Sequence, residues 1–516
     1  MKRTTFSLIL ITFCVTAIGQ VFPDKDYPIL FKDIQMSGFF PNSQIFPNCV
    51  PLIDAVKIDS CYNAEKDVAG FNLYDFINTY FVVPNTADNV QLSDSSETIG
   101  QYIESLMEAL KTTDDKTEGT LLQLPNPYLG TAIGSNELNY LYSYFAMLGL
   151  NAAGKYSLLE KMAENFAYLI DTYGFVPATN RTYMLSRSQP PFFALMVDLL
   201  VRHSGEAAYR KYLPQMLKEY EFWMDGKTSL NLSEKAYRRV VKLPDGEVLN
   251  RYWDDEALPR PEAYKEDLLI AEMSPEPDSV DFRNIRAAYE AGWGFSSRWL
   301  NDGLYLETIE TTKILPVDLN CLLYHLEKTI ARAYKSDGNK SESKRYTQLA
   351  AARKKAIQKY FWRKKDGFFV DYHFILEWQN MPNQLAGAYP LFFEIASARQ
   401  AKKCAAYIET HFLHEGGLAS TTKTTGYVHD APFGHPHMQY MAIAGLLKYN
   451  KKELASQIGQ GWLKLNTKTF EKTGKLYGKY DVVGADIQEE AVDLPEQDGL
   501  GATAGVFLYL EGLNLY

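Results

Sequence analysis

Residues 283–300, RNIRAAYEAGWGFSSRWL, combine the residue types of a carbohydrate site. Trp293 and Trp299 stand with a phenylalanine, two serines and an arginine around a Gly-Trp-Gly turn. Aromatic faces pack on the C–H faces of sugar rings, and the polar side chains can hydrogen-bond hydroxyl groups. Between Gly292 and Arg298, however, there is no carboxylate. The stretch therefore predicts either a sugar-cleaving site that lacks its acid or a site that only binds.

Two further stretches offer polar side chains suited to a hydroxyl-rich ligand. Residues 174–196, GFVPATNRTYMLSRSQPPFFALM, hold Asn180, Arg187 and Gln189 just before an apolar helical pattern. Residues 249–267, LNRYWDDEALPRPEAYKED, add carboxylates and an arginine beside aromatic residues. Each has an alternative interpretation, since the first could serve loop-to-core hydrogen bonding and the second could be an exposed charged turn.

A group of histidines suggests metal binding at first sight. His429, Asp430, His435 and His437 have the spacing H-D-x4-H-x-H. That spacing is not a standard zinc pattern. Surface or pocket-lining histidines are the favoured interpretation, and no metal is predicted.

Amphipathic helices are predicted to position these stretches. From residue 96 onward, segments such as YSLLEKMAENFAYLIDTYG repeat apolar residues at helical spacing and end in glycine or a polar turn. Ser96 is the predicted cap of the first helix. Because strand-like runs are few and short, the pattern indicates an all-α fold. Long loops are expected to meet at one end of a helical toroid; they are 121–137, 175–191, 243–266, 414–438 and 480–504.

The chain start is typical of an export signal. Lys2 and Arg3 precede the apolar run FSLILITFCVTAI, and Ala17-Ile18-Gly19 suits cleavage. We expect a signal peptide over 1–19 and export to the periplasm or beyond. Residues 20–516 are then one large domain, with 20–95 as an irregular N-terminal segment packed on it.

Composition narrows the partners. The 516 residues carry a net charge of −10 without a dense basic block, so nucleic acid is not an expected partner. No later segment is apolar and long enough to span a membrane. Of the cysteines left after cleavage, Cys321 and Cys404 are expected to be buried thiols, and pairing of Cys49 with Cys61 is left open.

Several long blocks resemble the α,α-trehalase family of glycoside hydrolases. They are PYLGTAIGSNELNYLYSYFAMLGL, NRTYMLSRSQPP, LNRYWDDEALPRPEAYKED, AAYEAGWGFSSRWL and YDVVGADIQEEAVDLPEQDGLGATAGV. The resemblance runs in order over nearly the whole mature chain. It implies an (α/α)6 barrel, inverting hydrolysis of α,α-trehalose to two glucose molecules, a small carbohydrate as partner, and no cofactor. A monomer is expected.

The resemblance also places the catalytic positions. The family's general acid, an aspartate, falls on Gly294, which has no proton to donate. Glu290, one helical turn earlier, is an alternative source of the acid. The family's base, a glutamate, falls on Asp493, and Glu496 is a nearby alternative carboxylate.

Many substrate-contacting positions are retained while others differ. The resemblance implies that the substrate-binding residues are Asn180, Arg187, Ser188, Gln189, Arg260, Pro261, Glu262 and Gly292. The family's usual residues are replaced at Gly134, Leu141, Tyr142, His429 and His435. The expected function is therefore that of a trehalase-family hydrolase homologue directed at trehalose or a related glycoside, with weak or lost activity. The alternatives are a non-catalytic carbohydrate-binding protein, a glycosidase of altered specificity, and an interaction protein on the same scaffold.

Overall fold

A computed structural model gives the fold of the chain. It describes residues 20–84, 98–112, 119–131, 133, 135–231, 233–381, 383–485 and 500–513. The predicted signal peptide therefore lies outside the described residues. So do Ser96, Gly134, Asp493 and Glu496.

Helices account for most of the described chain, as the sequence predicts. In order they are α1 Pro23–Asp26, α2 Pro28–Ser37, α3 Ala55–Glu65, α4 Leu73–Tyr80, α5 Ile99–Ala109, α6 Tyr140–Ala152, α7 Tyr156–Tyr173, α8 Phe193–Ser204, α9 Ala207–Lys211, α10 Leu213–Met224, α11 Tyr264–Met273, α12 Asp278–Glu290, α13 Val317–Ser336, α14 Lys340–Tyr360, α15 Tyr389–Phe392, α16 Ala398–His411, α17 Pro436–Lys448, α18 Lys452–Thr473 and α19 Leu500–Gly512. Single turns of 3-10 helix lie at Phe46–Asn48, Thr182–Met184, Lys227–Ser229, Pro261–Ala263, Leu306–Thr308, Thr311–Lys313 and Leu385–Ala388.

The strands are two or three residues long and pair antiparallel in small sheets. They are β1 Val50–Pro51, β2 Phe81–Val82, β3 Lys111–Thr112, β4 Tyr128–Leu129, β5 Ala236–Tyr237, β6 Val240–Lys242, β7 Val248–Asn250, β8 Ile314–Leu315, β9 Trp362–Arg363, β10 Phe368–Phe369, β11 Tyr372–His373, β12 Trp378–Gln379, β13 Leu413–His414, β14 Gly417–Leu418, β15 Phe433–Gly434 and β16 Tyr480–Asp481. Each strand pair joins two stretches of chain at the base of a loop. The pairing of β15 with β16, for example, joins the loop before α17 to the chain after α18.

The long helices form two concentric rings. Helices α6, α8, α13, α15, α17 and α19 contact one another in that order, and α19 closes the ring by packing on α6. Helices α5, α7, α10, α14, α16 and α18 alternate with them along the chain and bury one face each. One continuous apolar cluster runs through both rings. Among the described residues, no helix combines the length and apolarity needed to cross a membrane.

The N-terminal segment is helical, so the prediction of irregular structure is wrong for its described residues. Within 20–84 it contains helices α1 to α4, which close over an apolar cluster of their own. The segment packs on two of the long loops, because Thr182 donates to the Val21 carbonyl and Gln35 donates to the Pro261 carbonyl at 3.0 Å.

The four cysteines among the described residues are free thiols. Cys49, Cys321 and Cys404 are buried and Cys61 is partly buried, so the structure does not pair Cys49 with Cys61. Burial raises the pKa of the Cys49 thiol to about 12, which makes it unreactive at neutral pH. The expectation of buried thiols at Cys321 and Cys404 is confirmed.

Capping explains where the first barrel helix begins. Helix α5 is capped by Thr98, whose hydroxyl accepts from the Gln101 amide while the Gln101 side chain accepts from the Thr98 amide. This capping box satisfies two backbone donors reciprocally. The cap therefore stands two residues later than Ser96, the position that the sequence predicts.

The closure of the inner ring depends on glycine. A Cβ on Gly505 of α19 would collide with the Phe145 carbonyl of α6. We expect Gly505→Ala to lower the free energy of unfolding by about 1–3 kcal/mol, because the helices must separate. Chemical denaturation measures the change. Gly512→Ala is the control, since nothing lies within 4 Å of that position; equal effects of the two substitutions would contradict this account.

Candidate functional site

Four of the five predicted long loops contact one another or the turn after α12, whereas most of the 480–504 loop lies outside the described residues. Arg181 Nη1 donates to Thr120 Oγ1 at 3.2 Å, next to the 121–137 loop, and Ser186 Oγ donates to Asp254 at 3.1 Å. Ser296 Oγ, in the turn after α12, donates to Asp430 at 2.7 Å. These contacts place the retained positions and Gly294 in one region at the same end of the toroid.

Arg187 and Glu262 form a buried ion pair at the centre of this region. Arg187 Nη2 donates to Glu262 Oε1, and Arg187 Nη1 lies 3.6 Å from Asp254 Oδ2. Burial alone would raise the pKa of Glu262, but Arg187, Arg260 and Arg286 hold it below its ordinary value. Among the described residues, Arg187 Nε and Nη1 and Glu262 Oε2 have no hydrogen-bond partner. The pair therefore presents unmatched donors and an acceptor, which suits hydroxyl groups.

Arg260 is held rigidly beside that pair. Its Nη2 lies 2.6 Å from Asp267 Oδ1, and its backbone amide donates to Asp267 Oδ2 at 2.8 Å. The guanidinium lies over the Tyr289 ring at 3.7 Å and over Phe295 at 5.5 Å. Pro261 follows as the first residue of a 3-10 turn, which fixes the direction from Arg260 to Glu262. A stacked guanidinium with a bidentate carboxylate loses little side-chain freedom when a ligand binds.

Three other predicted contact residues are engaged with backbone groups. Asn180 Oδ1 accepts from the Leu138 amide at 2.6 Å, and Gln189 Oε1 accepts from the Leu141 amide at 2.9 Å. Ser188 Oγ donates to the Val176 carbonyl at 2.6 Å. These bonds show the loop-to-core role that the sequence left open. Contact with a sugar stays a prediction for all three.

Gly292 and Gly294 both lie in the left-handed region, at φ 70° and 49°. A Cβ on Gly292 would lie 2.5 Å from Leu141 Cδ2, so the turn requires glycine there. A Cβ on Gly294 would lie 3.4 Å from His429 Cε1 and 3.5 Å from His429 Nδ1, which is ordinary contact. Aspartate is among the residues that tolerate this backbone region. A Cβ at the acid position would thus make ordinary contacts with His429 and Tyr289.

Glu290 does not have the geometry of a replacement acid. It ends α12 and is fully buried. Its Oε1 accepts from Arg239 Nη2 at 2.6 Å and from the Ser188 amide at 3.1 Å, and its Oε2 accepts from the Trp253 amide at 2.7 Å. Burial raises its pKa, against the opposing effect of Arg239. Because both oxygens are occupied by donors, we assign Glu290 a positioning role.

The histidines stack on one another across the turn from Gly294. The His429 and His435 ring centroids are 4.8 Å apart at 12°, and those of His435 and His437 are 5.7 Å apart. His435 Nε2 lies 2.9 Å from the Val428 carbonyl. Burial lowers the pKa of His435 to about 4 and lowers those of His429 and His437 well below the ordinary range. The group is therefore neutral at pH 7.

The histidine group is not arranged around a metal. In the described part of the chain, no three or more His, Cys, Asp or Glu side chains are placed to hold an ion. Asp430 instead accepts from Ser296 Oγ at 2.7 Å, from the Ser297 amide at 2.8 Å and from Thr425 Oγ1 at 2.6 Å. Sequence reasoning considered Asp430 as a metal ligand and missed this role. The paired serines of the GFSSRW block were the available signal.

Sequence reasoning also missed the ion pairs below Trp293. Arg298 Nη1 and Nη2 each lie 2.8 Å from Asp318, and Arg298 Nε lies 2.8 Å from Asp371. The guanidinium lies 4.6 Å from the Trp293 ring centroid. A carboxylate inside an apolar helical segment, ILPVDLN, was the signal that a buried partner exists.

Comparison with known proteins identifies the architecture. Neutral trehalase Nth1 from Saccharomyces cerevisiae matches with a TM-score of 0.63 and 24% identity, over 81% of this chain and 80% of that one. A ring of helices with a loop-built site at one end is the (α/α)6 barrel of glycoside hydrolases of this kind. The predicted all-α (α/α)6 fold is confirmed.

Sequence comparison identifies the family. The trehalase family model matches residues 40–516. Periplasmic trehalase from Escherichia coli (strain K12) is 41% identical over 491 residues, which cover 94% of this chain and 86% of the relative. The corresponding protein of strain SMS-3-5 is 41% identical over 498 residues, or 96% and 87% of the two chains. The chain belongs to the trehalase family.

Removing the Glu290 charge tests its positioning role. We expect Glu290→Gln to lower the free energy of unfolding by about 3–5 kcal/mol, because it leaves the buried Arg239 without its partner. Asp255→Asn is the control; its side chain is 39% exposed and it pairs with the same Arg239 at 3.9 Å, so we expect a loss below about 1 kcal/mol. Denaturant titration measures both. A stable Glu290→Gln protein that has lost catalysis would contradict the assignment.

The buried histidines predict acid sensitivity. Because the folded pKa of His435 is about 4, the unfolded chain takes up the proton first as pH falls below about 6.5. Stability should therefore fall between pH 6.5 and pH 4, by up to about 3 kcal/mol from this residue. Unfolding titrations across this range should show a smaller fall for His435→Gln. The exposed His411→Gln should behave like the wild type; an unchanged profile for His435→Gln would contradict the prediction.

Proposed function

We propose that the chain binds trehalose, or a closely related glycoside, between its long loops and hydrolyses it to glucose much more slowly than an ordinary trehalase. The supporting observation is that the barrel keeps the buried Arg187–Glu262 pair with unmatched polar atoms. A rigid buried pair of this kind offers donors and acceptors to several hydroxyl groups at once. The sequence match to periplasmic trehalases over nearly the whole chain favours trehalose as the ligand.

The slow rate follows from the chemistry of inversion. Inverting hydrolysis needs one carboxyl group to protonate the leaving oxygen and another to activate water on the opposite face of the sugar. Gly294 supplies no proton at the acid position, and loss of a general acid costs about 10²–10⁴-fold. Asp493, at the base position, is one methylene shorter than the family's glutamate, and a misplacement of about 1 Å can cost about 10²-fold. Glu496 is the alternative base.

A non-catalytic sugar-binding protein is the second candidate function. It is favoured by the combination of a glycine at the acid position with a Glu290 whose two oxygens both accept hydrogen bonds. Such a protein would bind trehalose with saturation and release no glucose. Calorimetric titration of trehalose beside a glucose assay separates the two functions.

Export is part of the proposal. Residues 1–19 have the composition of a signal peptide, and the relatives are named periplasmic trehalases. The mature protein would then begin at Gln20 and meet its sugar outside the cytoplasm. Detection of a mature N-terminus at Gln20 in the periplasmic fraction tests this.

Restoring a carboxyl group tests the catalytic part. We expect residues 20–516 to release glucose from trehalose slowly, and Gly294→Asp to raise the rate by about tenfold or more, because it returns a carboxyl group to the acid position. Gly154→Asp is the control; that glycine has φ 70° and nothing within 4 Å, so the substitution imposes similar backbone strain away from the site.

Each alternative result has a definite meaning. Glucose release by the wild type at an ordinary rate of about 10 per second would show that an efficient acid sits elsewhere. If neither protein releases glucose but calorimetric titration shows saturable binding of trehalose, the binding function would be favoured. If neither protein releases glucose and the titration shows no binding, trehalose would be excluded as the ligand.

A further inference from the structure

Two side chains border the acid position, the His429 imidazole and the Tyr289 ring. A Cβ built on Gly294 lies 3.4 Å from His429 Cε1 and 3.5 Å from His429 Nδ1. A carboxyl group at this position would extend one bond further from the backbone. The ring edge with Nδ1 therefore borders the space that an acid at residue 294 would use.

The His429 ring is held by packing and leaves its nitrogens unmatched. It stacks on His435 at 4.8 Å, and the Trp293 ring centroid lies 6.5 Å away at 32°. Among the described residues neither His429 nitrogen makes a hydrogen bond of ordinary geometry, although both are buried and the Phe295 backbone lies close enough to favour the protonated ring. Buried polar atoms in native proteins are almost always paired, so an unmatched, rigidly stacked imidazole points to a ligand atom as its partner.

The chemistry of that partner follows from the position. In the proposed function, the atom bound beside residue 294 is the glycosidic oxygen, because the acid position serves that oxygen. An ether oxygen can only accept a hydrogen bond. Of the two side chains nearest Gly294, the His429 imidazole and the Tyr289 ring, the imidazole is the one with an N–H to offer, and its nitrogens make no hydrogen bond of ordinary geometry with the described residues.

We propose that His429 is the proton donor to the leaving group in this chain, in place of the missing carboxylic acid. This inference rests on the proposed function. Protonated His429 gives its Nδ1 proton to the glycosidic oxygen as the C1–O bond breaks, and that oxygen keeps the bonding electron pair. Water adds to C1 and loses a proton to the base of the proposed function. Two glucose molecules leave, and His429, now neutral, regains its proton from solvent.

The surroundings of His429 determine how often it carries the proton. The groups that face it are His435, His437, Lys479, the Tyr289 ring and the Phe295 backbone. Burial lowers the pKa of His429 most, followed by His435, His437 and Lys479, while the Phe295 backbone acts in the opposite direction. The carboxylates on the neighbouring elements are engaged elsewhere, Glu290 with Arg239 and Asp430 with Ser296. Protonated His429 is therefore a minor species at neutral pH, which agrees with a slow enzyme.

A pair of substrates tests the proposal. Trehalose needs a proton on its leaving oxygen, whereas α-D-glucosyl fluoride releases fluoride without a general acid. We expect His429→Gln to lower kcat/KM for trehalose by about 10²-fold and to leave that for the fluoride within about threefold. Above the pKa of His429, the wild-type rate on trehalose should rise about tenfold per unit fall in pH between pH 7.5 and 5.5. The rate on the fluoride should stay flat.

The controls separate this inference from the proposed function. His373→Gln removes another buried imidazole, whose Nδ1 accepts from the Leu376 amide outside the site, and should change neither rate. Retained fluoride hydrolysis also shows that His429→Gln is folded. Equal losses on both substrates, or no loss on trehalose, would overturn the role of His429 and leave the proposed function standing. Wild-type hydrolysis of the fluoride but not of trehalose would have the same meaning, whereas hydrolysis of neither would overturn both.

Discussion

The Asp430 carboxylate fixes the geometry on which the site depends. It is fully buried and accepts hydrogen bonds from Ser296, Ser297, Thr421 and Thr425. Two of these donors lie in the turn after α12, and two lie in the loop before α17. An ionised carboxylate forms the stronger kind of hydrogen bond, so the clamp holds these loops together with little freedom. Gly294 and His429 are close neighbours of the clamped residues, which is why they face each other.

Buried ion pairs surround this clamp and give the region its rigidity. The main pairs are Arg187–Glu262, Arg239–Glu290, Arg260–Asp267, Arg286–Asp254 and Arg298–Asp318. Pairs of this kind contribute little net stability, because desolvation offsets most of the Coulomb attraction. Their effect is on shape, since Arg260 and Arg298 are both bidentately paired and stacked on aromatic rings, which leaves them little freedom to change rotamer when a sugar enters. The fold thus retains a preorganised binding region around an altered acid position.

The sequence predicted those parts of the structure that depend on local pattern. The long helices and the all-α class follow from apolar residues at helical spacing. Helices α1 to α4 were missed because they are short, two of them begin at proline, and α3 is only weakly amphipathic. The predicted cap of α5, Ser96, lies two residues before the observed cap, Thr98, which is the usual uncertainty of a helix boundary.

The partners of the site residues were beyond local reasoning. Nothing in the 174–196 stretch indicates that Asn180 and Gln189 bind backbone groups of another segment. Arg298 pairs with Asp371, which is 73 residues away in sequence, so only the tertiary fold reveals that contact. The structure brings Gly294 and His429 together, whereas the family resemblance assigned them only as the acid position and a replaced position. It contained no information on the stacking that orients that ring.

With His429 as the proposed proton donor in place of an aspartate at residue 294, burial shifts the donor's pKa in the opposite direction. A carboxylic acid is neutral when it carries its proton and anionic when it has given the proton away. An imidazole is cationic with the extra proton and neutral without it. Burial penalises the charged form. It therefore raises the pKa of a carboxylic acid and keeps the acid protonated, but it lowers the pKa of His429 and keeps the imidazole deprotonated. The burial that would make a carboxyl group at residue 294 an effective proton donor therefore makes the neighbouring His429 an inefficient proton donor at neutral pH.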